Sequence, residues 1–214
     1  MDERPIREAA AAICVREGSS GTPEVLAVRR SDESRFLPGY ISFPGGALEP
    51  EDGDRAGRWF GDPTERHRAA ALREVIEEVA LAVTGSGVIV SSTADAIDLD
   101  PPDAATMHEI CRWVAPPVVP VRFDARYFAI AVDGHVEPLV DGREIADAWW
   151  TPPRELLAAW DAGEHKLYWP TWFTVGRLAT CVTRADVLDL CFQTREPTED
   201  EERTMPRHVM EQVP

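Results

Sequence analysis

The segment DPTERHRAAALREVIEEVALAV, which begins at Asp62, constrains the fold more than any other part of the chain. Asp62 is a natural N-cap, and Pro63 suits a first helical turn, where a missing N–H costs nothing. Leu72, Val75, Ile76 and Val79 then recur at helical spacing, so one face of this helix is destined for a core. Glu74, Glu77 and Glu78 stand at i, i+3 and i+4 and project toward one side, near enough for their carboxylates to meet an ion. Without a cation each such pair is unfavourable by roughly 0.2–0.5 kcal/mol, and the negative end of the helix dipole adds to the cost. Arg68 and Arg73 supply some positive charge, but Arg73 adjoins Glu74 in sequence and leaves the helix about 100° around from it. All-oxygen ligands without His or Cys suit a hard divalent ion, Mg2+ or Mn2+. On spacing alone, a solvated acidic face is the commoner use of such a helix.

The formal net charge of −16 argues against a nucleic acid or an anionic membrane as partner, because both would be repelled. A phosphate-bearing small substrate would be repelled too, unless bound cations reverse the local charge. Cys14, Cys111, Cys181 and Cys191 lie far apart, without zinc-ligand spacing, and read as buried thiols in a reducing compartment. The opening MDERPIREAA has no apolar core and no stretch is long enough to span a bilayer, so a cytoplasmic protein is expected.

Residues 7–15 and 24–30 read as strands around the turn-rich EGSSGTPE, although a run of alanines alone favours helix. A short strand at 40–43 lies between Pro38-Gly39 and Pro44-Gly45-Gly46, and 47–63 reads as acidic and irregular. Thr84-Gly85-Ser86-Gly87 is a turn signal, 104–114 reads as a helix, and 120–132 and 145–150 as strands with the turn Asp133-Gly134 between them. Pro152-Pro153 opens a helix through Trp160, and two further helices fall within 171–191. Residues 195–214 are charged and aperiodic and are expected to be flexible or draped on a partner subunit. The alternation predicts one domain, 1–194, of class α/β (α+β) with a mixed β-sheet.

Glu65, Arg73, Glu74, Val75, Glu77, Glu78 and Leu81 keep the spacing E-x7-R-E-U-x-E-E-x-x-U, with U a bulky apolar residue. This resembles the Nudix box, G-x5-E-x7-R-E-U-x-E-E-x-G-U. Ala80 replaces the final glycine, and Trp59 stands where the opening one is due. If Gly45-Gly46 is the displaced entrance, about 13 residues are inserted within 47–63, which a loop tolerates. Upstream, Arg30-Ser31-x3-Arg35-x3-Gly39-x3-Phe43-Pro44-Gly45-Gly46 is similar to the pattern that accompanies the box in coenzyme A diphosphatases, with Val28 in place of the usual Thr. Phe36-Leu37-Pro38-Gly39, the insertion, Arg122-Phe123-Asp124 and Phe128 resemble the insertion-bearing branch of those enzymes.

The resemblance implies a Nudix fold, a mixed sheet sandwiched between helices, with an insertion before the acid helix and extra C-terminal helices. It implies a pyrophosphohydrolase in which magnesium or manganese ions are held by Glu74, Glu77, Glu78 and the carbonyl of Gly45. Glu74 also orients water, Arg73 holds the carboxylates, and Glu65 and Gly46 support the loop-to-helix geometry, Glu65 by pairing with Arg73. Glu144 is the preferred general base, with Asp147 second. Arg30 and Arg35 are expected near substrate phosphates, or equally as surface charges balancing Asp32 and Glu33, and Phe128, Trp149 or Trp150 against the base, although core packing is the commoner use of each aromatic. The expected substrate is CoA, an acyl-CoA or a related nucleoside diphosphate derivative. ADP-ribose, NADH or a nucleotide sugar is the alternative, and a non-catalytic nucleotide sensor the alternative from another class. Homodimers are frequent in the family.

Overall fold

The computed structural model describes residues 5–91, 100–115, 122–196 and 198–200. The elements in chain order are β1 (Ile6–Glu17), β2 (Pro23–Arg30), β3 (Tyr40–Ser42), β4 (Gly45–Ala47), α1 (Asp52–Phe60), α2 (Arg66–Val79), β5 (Leu81–Thr84), β6 (Gly87–Val90), β7 (His108–Val114), β8 (Arg122–Ala131), β9 (Ile145–Thr151), α3 (Pro153–Asp161), β10 (Lys166–Leu167), α4 (Trp169–Leu178) and α5 (Arg184–Leu188). Among the described residues, eight strands form a mixed sheet in the order β10-β3-β2-β1-β8-β7, with β4 on β1 and β9 on β2; β5 and β6 form a separate hairpin. β1 is the axis. One edge runs parallel to β8 from Ile6 to Val15, while the other pairs first with β4 at Ala9–Ala11 and then with β2 at Val15–Glu17. This change of partner partway along β1 curls the sheet and brings the glycines of β4 beside the strand that carries the core.

Both faces of β1 are covered. Ile13 and Val15 join a core with Leu156, Val175, Leu178 and Val187 of α3, α4 and α5, whereas Ala10, Ala12 and Cys14 join Ala70, Ala71, Leu72, Val75 and Val79 of α2. Small residues let α2 approach the sheet closely, and two-sided burial overrides alanine's helical preference. The expected mixed sheet between helical layers is therefore present. No helix among the described residues is long and apolar enough to cross a membrane.

Four local expectations are corrected. Residues 108–114 form a strand instead of a helix: Cys111 and Trp113 are buried while Arg112 and Val114 are exposed, the alternation of a strand, and a bulge at Ile110 disturbs the period. Only Ala104–Thr106 turns, as a 3-10 helix capped by Asp103. The stretch 47–63 is ordered, holding the end of β4 and all of α1. Asp62 caps a 3-10 turn, Pro63–Glu65, through the Thr64 N–H (2.8 Å), and α2 starts only at Arg66. Cys191 is exposed and Cys181 half-buried, so only Cys14 and Cys111 are the buried thiols expected.

α2 ends on Ala80, at φ 52°, in the left-handed conformation that explains the usual glycine at this point of the box. At the far side of the sheet, the Phe192 N–H donates to the Ile110 carbonyl (3.0 Å) and Thr194 Oγ1 to the Arg112 carbonyl (2.7 Å), so the segment after α5 runs along the outer edge of β7. Trp169 Nε1 donates to the Arg195 carbonyl (2.9 Å), which docks the first residue of the expected tail; residues 201–214 lie outside the described residues.

Candidate active site

Arg73 is the hub of the acid helix. Only 2% exposed, it donates from Nη1 to Glu74 (2.8 Å) and Glu77 (2.7 Å), from Nη2 to the Ala47 carbonyl (3.0 Å) and Asp52 (3.2 Å), and from Nε to Asp52 (3.1 Å). Burial pulls the guanidinium's pKa down, but the Asp52 bonds and neighbouring Glu74 outweigh it and hold it above its usual range. Although residues i and i+1 diverge on a helix, the long arginine side chain curls back to reach Glu74, and the positive charge expected from a cation is here partly supplied by Arg73.

The pairing of Glu65 with Arg73 is corrected: Glu65 pairs with Arg68, and the buried carboxylate on Arg73 is Asp52, which is 0% exposed and also bonded to Arg55. Sequence reasoning missed Asp52, yet the signal was present. Gly46 and Asp52 are separated by five residues, 47–51, which is the G-x5-E element of the box with Asp for Glu. Twenty residues, 53–72, then separate Asp52 from Arg73 where the box has about seven, so the insertion lies after this acid and α1 opens it. Glu65 matched by coincidence of spacing.

Glu74 lies under β4. A Cβ on Gly46 would stand 2.7 Å from the Glu74 Cδ, so the absence of a side chain at Gly46 admits the carboxylate. Burial pushes Glu74 up to about 7, against the pull of Arg73. Burial, followed by repulsion from Glu74, raises Glu78 well above the carboxylate range, while Arg30 and the Gly45 N–H, which donates to Glu78 Oε2 at 3.2 Å, pull the other way. The Glu77 side chain is 40% exposed and rests on Arg73.

The three acids do not close on one point. Glu74 and Glu77 meet at Arg73, Glu78 turns to the Gly45 amide, and among the described residues no three His, Cys, Asp or Glu side chains are placed to hold an ion together. The donor set nevertheless fits a hard cation. Two acids that burial and neighbouring carboxylates drive toward protonation would be relieved by one, and Gly46 leaves the Glu74 carboxylate room beside β4.

Glu144, just before β9, lies beside this cluster: its charge raises both Glu74 and Glu78, and its side chain is 67% exposed. The Ser31 N–H donates to its carbonyl (2.8 Å) and Arg30 Nη2 to its Oε1 (3.3 Å). Arg30 also donates from Nε to the Phe36 carbonyl (2.9 Å), so protein groups engage it on two sides, while Arg35 is exposed on the loop that follows β2. Asp147 sits in β9 opposite Arg29, with Oδ1 accepting from the Ala148 N–H. Phe128 is corrected: 1% exposed, it packs under α2 with the Arg68 guanidinium over its ring, and it cannot stack on a ligand. Trp150 is likewise a core residue, its Nε1 donating to the Val136 carbonyl (3.0 Å), and Trp149 packs against His165.

This glycine pair, its buried Arg–Asp hub and the acids around it fall inside residues 6–173, the span matched by the NUDIX domain family. The chain belongs to that family. A Nudix hydrolase from Alicyclobacillus acidocaldarius is 31% identical, with a TM-score of 0.74 over 87% of this chain and 97% of the other. A Caenorhabditis elegans protein named putative nudix hydrolase 7 is 27% identical over 176 residues, and the match spans 74% of this chain but only 56% of that curated relative. The Nudix domain of Shewanella oneidensis NrtR, solved in complex with ADP ribose, shares the fold alone, at 14% identity and a TM-score of 0.50 over 81% of this chain and 86% of the other. The fold expected from the box is thus that of solved Nudix hydrolases.

Proposed function

We propose that this Nudix protein is a metal-dependent diphosphatase that cleaves the diphosphate linkage of coenzyme A, an acyl-CoA or a related nucleoside diphosphate derivative. The observation that supports this best is the pair Glu74 and Glu78, half-buried beside the β4 glycines and both driven toward protonation when no cation shares the site. Mg2+ or Mn2+ held by Glu74, Glu77 and Glu78, with the Gly45 carbonyl as a further oxygen, would polarise the phosphoryl oxygens and acidify the attacking water. Arg73 keeps Glu74 and Glu77 oriented, anchored from behind by Asp52. Glu144 is solvent-accessible beside them and can take the proton of an attacking water, with Arg30 on its carboxylate. Arg35, on the loop before Gly39, can meet a substrate phosphate.

The glycine-ended arginine pattern is what favours a CoA-like substrate over ADP-ribose, NADH or a nucleotide sugar. Intact carboxylates favour an enzyme over a nucleotide sensor, and the four free thiols favour the cytoplasm. Cleavage of CoA, dephospho-CoA, NADH and ADP-ribose should be compared in Mg2+ and in Mn2+. Brisk CoA cleavage that Glu78→Gln lowers by orders of magnitude is expected; neglect of CoA beside rapid cleavage of another compound reassigns the substrate, and full activity in chelator removes the metal.

A further inference from the structure

Two phenylalanines belong to neither large core. Phe36, on the loop after β2, and Phe123, at the start of β8, are half-buried and absent from both clusters that fill the two faces of the sheet. They meet edge to face, ring centroids 6.1 Å apart at 63°, and the Arg7 guanidinium lies 5.7 Å from the Phe123 centroid. Arg7 and Phe123 are register partners in β1 and β8, three residues before Ala10, which pairs with Gly46.

The loop that presents Phe36 is held in place at some cost. Leu37 has φ 47°, one of two non-glycine residues with positive φ among the described residues, and a branched apolar side chain does not choose that conformation unaided. The Phe36 carbonyl is tied to Arg30 Nε, and Arg30 Nη2 reaches Glu144. One arginine therefore links the ring-bearing loop to the carboxylate beside the acid helix.

We propose that Phe36, Phe123 and Arg7 form a stacking platform for the planar heteroaromatic base on the nucleoside side of the substrate, placed so that the attached diphosphate reaches Glu74 and Glu78. Aromatic faces and a guanidinium bind a base through stacking and cation–π contact, and neither needs a particular base edge. The two rings offer nothing to a bare diphosphate, which is why the phenylalanines, and not Arg7, are the residues to vary. This assignment rests on the diphosphatase reading for the identity of the ligand, but its test is a binding measurement that needs no turnover.

Calorimetric titration of the full chain with ADP and with inorganic pyrophosphate, each in Mg2+, separates the base from the phosphates. Phe36→Leu and Phe123→Leu should each weaken ADP by ~5- to 100-fold and leave pyrophosphate within about two-fold; Phe36→Tyr should retain ADP binding. Circular dichroism and melting of each variant identify any that misfold, and the other then decides. A folded Phe36→Leu or Phe123→Leu protein that binds ADP as wild type does, or a wild type that binds ADP no more tightly than pyrophosphate, overturns the platform. Failure to cleave any diphosphate, with this ADP preference intact, would instead count against the enzymatic reading alone.

Discussion

Asp52 accepts from both Nε and Nη2 of Arg73, at 3.1 and 3.2 Å, and neither side chain meets solvent. α1 thus opens with the residue that fixes the acid helix from behind. A buried charge that loses its partner is far more costly than a surface pair that is broken.

Asp52→Ala should therefore destabilise the protein by about 3–5 kcal/mol, whereas Glu65→Ala, which releases only the partly exposed Arg68, should cost about 1 kcal/mol or less. Urea unfolding of both variants checks this. The reverse ranking would restore Glu65 as the partner of the box arginine.

The two glycines of β4 should fail differently. A Cβ at Gly45 would press on backbone, 2.6 Å from the Ala10 carbonyl oxygen and 2.8 Å from the Ala11 Cα, so Gly45→Ala should loosen the β1–β4 pairing and cost about 1–3 kcal/mol. At Gly46 the obstacle is the Glu74 carboxylate, a movable side chain, so Gly46→Ala should shift the melting temperature little while lowering kcat by roughly 100-fold. Equal losses of stability in the two variants would sink this distinction.

Melting in chelator across pH tests the half-buried acids. The folded-state pKa of Glu74, about 7, lies above its ordinary 4.5, and that of Glu78 is raised too, so the native state holds more protons than the unfolded chain between those values. Stability from these groups is full below about pH 4.5 and is lost as pH rises toward 7. The melting temperature should fall by ~5 °C or more over that window. Glu78→Gln should flatten the slope, and millimolar Mg2+ or Mn2+ should raise the melting temperature most at the upper end, where the carboxylates are ready to bind. A metal-induced shift that is equal at both ends of the window would contradict the ligand assignment.

The acid helix and the glycine pair beside it were legible because each depends on local spacing or on one short motif, whereas Glu144 rests on no motif of its own. The two-sided burial of β1 was less so, since alanine preferences speak for helix until a sheet is known to need thin residues between α2 and the opposite core. β7 was misread because the bulge at Ile110 breaks the alternation just where the strand begins. Phe128 looked available for a ligand because nothing in its neighbours tells that α2 will cover it. Asp52 was hidden by a competing match: Glu65 satisfied the box toward the helix and masked the five-residue spacing from Gly46 to Asp52, the acid that α1 brings back to Arg73.

The segment that follows α5 lies against β7 and occupies the Ile110 and Arg112 carbonyls, which an outermost strand would otherwise offer to a neighbour. An incoming peptide or a second molecule cannot add a strand there without first peeling away Phe192 and Thr194. Association through this flank must then rely on side chains, and a variant cut short before Cys191 would gain an adhesive border and a tendency to clump.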